Sequence, residues 1–170
     1  MNNNYVVLHI HDMLSNAVTN IDSITTFDDY VIKAKDYGMT ALASSNHGSV
    51  LNWVHKKNVC EAAGMKYIHA EEFYITETLS NKIRDNYHCL LIAKNYDGVL
   101  ELNKLSSKSF NREDNSFYYV PRISFDDLIH TSDNIIISTA CLGGILHKGN
   151  KDIKNRFFQF IIQHKDRCYL

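Results

Sequence analysis

The sequence predicts an α/β fold with mainly parallel strands and helices packed outside them. Three observations support this. Short apolar runs of strand composition alternate with stretches of helical periodicity. The links between them are short. Polar residues able to bind ligands recur at the ends of the apolar runs. Repeated strand–helix units favour parallel strands joined by right-handed crossovers. The number of strands does not separate a closed barrel from an open sheet; the placement of the polar residues does.

Residues 5–11 read as the first strand, carried by Val6, Val7, Leu8 and Ile10. Residues 27–37 read as a helix. Phe27, Tyr30, Val31 and Ala34 recur at helical spacing, Asp28 and Asp29 occupy the first turn, and Gly38 stops it. Residues 40–44 form a short apolar strand that runs into the turn Ser45-Asn46-His47-Gly48. A second helix covers 50–63 and ends at Gly64. Strands follow at 66–76 and 87–93, separated by a polar loop over 77–86. A helix over 97–110 leads to a polar loop over 111–116. A brief helix over 125–129 has Ser124 as its cap, and a strand over 134–138 and a helix over 151–163 complete the pattern.

The 170 residues are enough for one domain with a hydrophobic core, and 45% hydrophobic with 22% charged is an ordinary globular composition. The net charge of -1 gives no global signature of a nucleic-acid binder. The charge is uneven: the first thirty-two residues hold Asp12, Asp22, Asp28 and Asp29 without a Lys or Arg, and the tail is basic, as a solvated helix face often is. Cys60, Cys89, Cys141 and Cys168 are irregularly spaced and form no CxxC pair, which fits a reducing cytoplasm and no disulfide scaffold. No apolar run is long enough to span a membrane, and the first residues lack the pattern of a signal peptide. Nine histidines are many for this length and hint at metal chemistry.

Five constellations carry that hint. His9 and His11 lie two apart in a strand, so both imidazoles point to one face, roughly 7 Å apart along the chain. His47 sits where a strand gives way to a helix, the rim at which parallel α/β folds bind ligands. Glu71 and Glu72 are adjacent in a strand, so only one can face the side that His9 faces. His88 opens an apolar strand, and Cys141 follows another. Each alone reads as a half-buried side chain, a turn residue or an inert thiol. Together they put ligand-type residues at successive strand ends, as a barrel with one polynuclear site at its mouth requires. His, carboxylate and Cys together suit zinc, and His with carboxylate also suits manganese or iron. His69 could orient a ligand; His55, His130, His147 and His164 lie in polar surroundings. No Gly-rich phosphate loop and no GxSxG elbow is present.

The motifs resemble those of the PHP (polymerase and histidinol phosphatase) superfamily. Leu8-His9-Ile10-His11 resembles its opening motif, Ala43-Ser44-Ser45-Asn46-His47-Gly48 its Thr-Asp-His-Gly motif, and Ile68-His69-Ala70-Glu71-Glu72-Phe73-Tyr74 its Gly-x-Glu-x-Tyr segment, which assigns the family's glutamate to Glu72. Tyr87-His88 through Asn95, Phe117-Tyr118-Tyr119-Val120-Pro121-Arg122-Ile123 and Ser138-Thr139-Ala140-Cys141-Leu142-Gly143-Gly144 look like the branch carried by bacterial DNA polymerase III alpha subunits. The resemblance covers the chain in order. It implies a distorted (β/α)7 barrel with up to three divalent metals, zinc or manganese. The implied ligands are His9, His11, His47, Glu72, His88 and Cys141, with Asn46 and His69 behind them.

The same resemblance implies that residues 1–170 are the N-terminal portion of one PHP domain, with the last strands and a polymerase body beyond it. The implied role is in DNA replication. The site would be of phosphoesterase or 3′–5′ exonuclease type within a DNA-directed DNA polymerase subunit, a cytoplasmic nucleotidyltransferase that meets DNA through the full-length enzyme. Two alternatives differ in class: a structural module that has lost catalysis but still stabilises the polymerase body, and a free-standing phosphatase such as a histidinol phosphatase. Three departures bear on this choice. Asn46 replaces an acid, Val18 stands where an acid is common, and the Asp-x-His motif is missing. An aspartate at position 46 is expected to raise hydrolysis, since a carboxylate beside His47 binds metal or orients water better than an amide.

Overall fold

Caps and stops in the sequence set most element boundaries. The computed structural model describes residues 5–80 and 82–170. A 3₁₀ turn at Met13–Ala17 precedes α1 (Phe27–Asp36), β1 (Ala41–Ser44), α2 (Trp53–Ala62), β2 (Lys66–Thr76), β3 (Tyr87–Ala93) and α3 (Tyr96–Ser109). Then come β4 (Phe117–Tyr118), β5 (Val120–Ser124), α4 (Phe125–Ile129), β6 (Ile135–Ser138), α5 (Ile145–Lys148), α6 (Lys151–Gln163) and β7 (Cys168–Tyr169). Thr26 with Asp29, and Ser124 with Asp127, form capping boxes at α1 and α4, so the expected Ser124 cap is present. Asn95 and Asn150 accept backbone N–H groups at the starts of α3 and α6.

β2 organises the sheet. It pairs in parallel with β1 through residues 66–69 and with β5 through 74–76 along one edge, and antiparallel with β3 along the other. The order continues β4-β5-β2-β3-β6-β7, with β1 also on β2. The expectation of parallel strands is therefore corrected. β2–β3, β3–β6 and β4–β5 are antiparallel. The reason at β2–β3 is the connection: the polar loop 77–86 carries no helix, and a parallel return needs a longer crossover. The fold is a mixed α/β arrangement. No ladder among the described residues joins β4 to β7, so the sheet is open and not a closed (β/α)7 barrel.

Residues 5–11 differ too. They are extended beside β1 but make no regular ladder. Ala43 N donates to Val7 O at 3.1 Å and Ser45 N to Ile10 O at 3.2 Å. The Ser45 hydroxyl accepts from Ile10 N at 2.7 Å and donates to Ile10 O at 3.0 Å. One side chain thus satisfies both main-chain groups of Ile10 where a neighbouring strand would otherwise do so.

Side chains alternate across β2 and β3. Phe73, Ile75, Cys89 and Leu91 join Leu102 of α3 and Phe157 of α6 in the main core. A second core joins Phe27 and Val31 of α1 to Leu42 and Cys60. On the other face Ala70, Leu90 and Ile92 form a small apolar cluster, and the same alternation carries Glu72, Tyr74 and His88 on that side. Beside it opens a groove of about 1070 Å³ lined by Leu8, Trp53, Ile68, Leu90, Ile92 and Ile136 among others. No helix among the described residues is long and apolar enough to cross a membrane.

Candidate metal centre

Glu72 is the hub of the site. It is 1% exposed, and its Oε2 lies 2.9 Å from His9 Nε2, 3.0 Å from His11 Nε2 and 3.4 Å from His47 Nδ1. Its Oε1 lies 3.0 Å from His88 Nδ1 and 3.6 Å from Cys141 Sγ. Cys141 Sγ is also 3.3 Å from His88 Nδ1. All six residues named from the sequence therefore meet at one place. Glu71, its neighbour, is wholly buried on the opposite face.

Local structure explains the convergence. His47 and Gly48 prolong β1 along β2: Glu72 N donates to Asn46 O at 3.1 Å and Gly48 N to Glu72 O at 3.0 Å. Gly48 has φ +56, and a Cβ there would lie 2.8 Å from Pro121 Cγ, so the turn needs glycine. Tyr74 pairs across the strands with His88 and stacks on His47, with ring centroids 5.6 Å apart. Cys141 follows Ala140, whose φ is +58. The turn then folds over His88, which donates its backbone N–H to Gly143 O at 3.1 Å.

One participant was not legible in advance. Asp22, in the loop before α1, brings Oδ2 to 3.7 Å from His11 Nδ1 and 4.0 Å from His47 Nε2. Asn16 pins this loop by accepting from Asp22 N at 2.7 Å and donating to Ser23 O at 2.7 Å. The sequence signal was an acid in a loop that follows two histidines, a pattern too common to single it out.

Of the two residues expected behind the ligands, Asn46 lies behind them and His69 does not. Asn46 faces Asp12, to which it donates from Nδ2 at 2.8 Å, and does not point at Glu72. An aspartate at 46 would set two buried carboxylates against each other, so the expected gain in hydrolysis loses its premise. His69 lies on the other face of β2. Its ring nitrogens are 3.1 Å from the Tyr67 hydroxyl and 3.1 Å from Asn103 Oδ1, and burial pushes it down to about 4.

The electrostatics favour a cation. Burial alone would raise the Glu72 carboxyl, but contacts with His11, His88 and His9 hold it well below the usual carboxylate range. Burial lowers His47 to about 4 against the opposing pull of Glu72. His47 is thus a neutral ring at pH 7, and its buried Nδ1 has no hydrogen-bond partner. With the ring proton on Nε2, the Nδ1 lone pair, 3.4 Å from Glu72 Oε2, is available to a cation lying between them. Among the described residues, three groups have ligand atoms within 4.8 Å of one another: His9, His11 and Glu72; His11, Asp22 and His47; and His47, Glu72 and His88. The residues fit divalent metal ions.

The PHP domain family matches residues 8–164. The chain is 33% identical over 156 residues to DNA polymerase III subunit alpha of Aquifex aeolicus, covering 85% of this chain and 13% of that protein. It is 33% identical over 167 residues to the same subunit of Borreliella burgdorferi, covering 92% and 14%. For that of Helicobacter pylori the figures are 30% over 161 residues, 92% and 13%. The chain thus spans only a small part of the length of these relatives. With its histidines gathered on Glu72 and the match running through nearly every described element, the chain belongs to the PHP domain family.

Proposed function

We propose that this PHP domain is a divalent-metal phosphoesterase module of a DNA polymerase III alpha subunit, with zinc or manganese as its metal. The observation that carries the reading is the gathering of four imidazoles and a thiol around one buried carboxylate. His9, His11, Glu72, His47, His88 and Cys141, with Asp22 at one side, would hold up to three ions. Divalent metals there supply Lewis-acid polarisation of a phosphoester and acidify water. The chain's own residues hold the ligands in place. Tyr74 walls the site between His47 and His88, and Ser15 Oγ accepts from His47 N at 3.0 Å and lies 3.2 Å from His11 Nδ1. The substrate class is a phosphodiester or the 3′ end of a DNA strand, in keeping with the polymerase relatives and a role in replication. In a longer chain further strands would close the (β/α)7 barrel.

The open apolar groove favours a second reading in which the module also packs against a polymerase body in the same chain. The two readings are compatible, and one experiment separates catalysis from packing alone. Hydrolysis of a generic phosphodiester and of a 3′-end-labelled primer is measured with zinc or manganese, for wild type and His9→Ala. Hydrolysis that is lost in His9→Ala supports the phosphoesterase reading. A wild type that binds metal and hydrolyses neither substrate leaves only the packing role.

A further inference from the structure

The segments that carry the histidines are tied together behind the site by a buried polar network. Asp12 follows His11, and Asn46 precedes His47. Asp12 N donates to Asn46 Oδ1 at 2.9 Å, and Asn46 Nδ2 donates back to Asp12 Oδ1 at 2.8 Å. The other Asp12 oxygen lies 2.7 Å from Lys56 Nζ, which also donates to Ser44 Oγ at 2.9 Å. Asp12 and Lys56 are each 2% exposed and Asn46 1%. Lys56 reaches this place from α2, with its ammonium 5.6 Å from the Phe27 ring.

Stability is a weak reason for such a network. A buried ion pair is often no better than apolar residues of similar volume. What it does supply is register. The segment around His9 and His11 has no regular ladder with β1, so two main-chain bonds and the Ser45 hydroxyl would leave its approach to β1 loosely set. The reciprocal Asp12–Asn46 pair closes that gap at the residues next to His11 and His47. Outer groups of this kind orient metal ligands.

We propose that Asp12, Asn46 and Lys56 are positioning residues that hold His9 and His11 on one side, and His47 on the other, at their common meeting point on Glu72. The functional meaning rests on the metal-centre reading above; the geometry does not. The pair needs one carboxylate and one amide. Two carboxylates would repel at hydrogen-bond distance, and two amides would leave the Lys56 ammonium buried without a counter-charge. Exchanging the two residues keeps the charge count and a donor–acceptor pair between positions 12 and 46, but it gives up the Leu14 N–H bond to Asp12 Oδ1 and moves the carboxylate away from Lys56 Nζ.

The test uses the full 170-residue chain as Asn46→Asp, Asp12→Asn and the double exchange Asp12→Asn/Asn46→Asp. Zinc affinity is read by competition titration. The imidazole resonances of His9, His11 and His47 are read by NMR without metal, and circular dichroism checks the fold. Each single variant is expected to lose about 10–100-fold in zinc affinity and to shift these resonances, and the double exchange to recover part of both. Folded single variants with wild-type affinity and resonances would overturn the proposal, as would a folded double exchange no better than the weaker single. If the singles fail to fold, the double exchange alone decides on the same two readouts. If the wild type binds no zinc, the metal reading falls separately, and the resonances still decide the positioning role.

Discussion

Glu71 and Glu72 are neighbours on β2 and serve opposite halves of the fold. Glu72 gathers the histidines. Glu71 is wholly buried against the α3 side, where neither of its oxygens makes a well-formed hydrogen bond. Burial pushes the Glu71 carboxyl well above its ordinary value, with Ser106 of α3 offsetting part of the effect. The folded chain therefore keeps a proton that the unfolded chain releases in the ordinary carboxylate range. Stability contributed by this group is complete below that range and declines as pH rises toward the raised folded value. Glu71→Gln is expected to melt higher than wild type at pH 7–8 and to match it near pH 4. Each kcal/mol corresponds to about 2–4 °C in a domain of this size. Melting curves across pH check this; an unchanged pH dependence in Glu71→Gln would contradict it.

Gly143 leaves no room beside His88. A Cβ at that position would lie 3.0 Å from the His88 ring. Gly143→Ala is expected to displace the imidazole, with an overpacking cost of about 1–3 kcal/mol, and to weaken metal binding in protein that still folds. Denaturant melts and metal titration on the same preparation check both effects. Unchanged affinity would mean that His88 is not held by this contact.

Among the described residues, Asp22 belongs to one of the three ligand groups, that with His11 and His47. Asp22→Asn is expected to lower metal stoichiometry while binding through His9, His11 and Glu72 persists. Native mass spectrometry with added zinc counts the ions per chain. A stoichiometry equal to wild type would remove Asp22 from the ligands.

Much of this was legible in the sequence. The spans of β2, β3 and α6 match the strands and helix read from periodicity, because long apolar runs bounded by polar loops leave few alternatives. The meeting of His9, His47, Glu72 and His88 was anticipated from apolar runs and from alternation along β2, although His9 lies in a segment without a ladder and Glu72 sits within β2, not at its end. Strand direction was missed although the loop carried the signal: residues 77–86 are polar, hold no helix and are too few for a parallel crossover between β2 and β3. The pairing of Asp12 with Asn46 was hidden for another reason. It depends on contacts between segments distant in sequence, and the departure at Asn46 looked like a loss until Asp12 was seen opposite it. Asp22 was missed because the loop carrying it has no periodicity. Its position depends on the Asn16 side chain.

A helix boundary shows the same limit on a smaller scale. Residues 50–63 read as one helix, but α2 begins at Trp53, after Asn52 with φ 58 and no side-chain cap. The residues ahead of it form the turn that follows Gly48.

The most direct test of the metal centre is the binding of zinc and manganese by wild type and Glu72→Gln, measured by elemental analysis and calorimetry on the same folded preparations. Glutamine keeps the size of the side chain and removes the charge that faces His9, His11, His47 and His88. Wild type is expected to retain bound metal, and Glu72→Gln to lose about 100-fold or more in affinity with its fold intact. A wild type that binds neither metal, or a Glu72→Gln protein that binds as wild type does, would contradict the assignment of Glu72 as the hub of the centre.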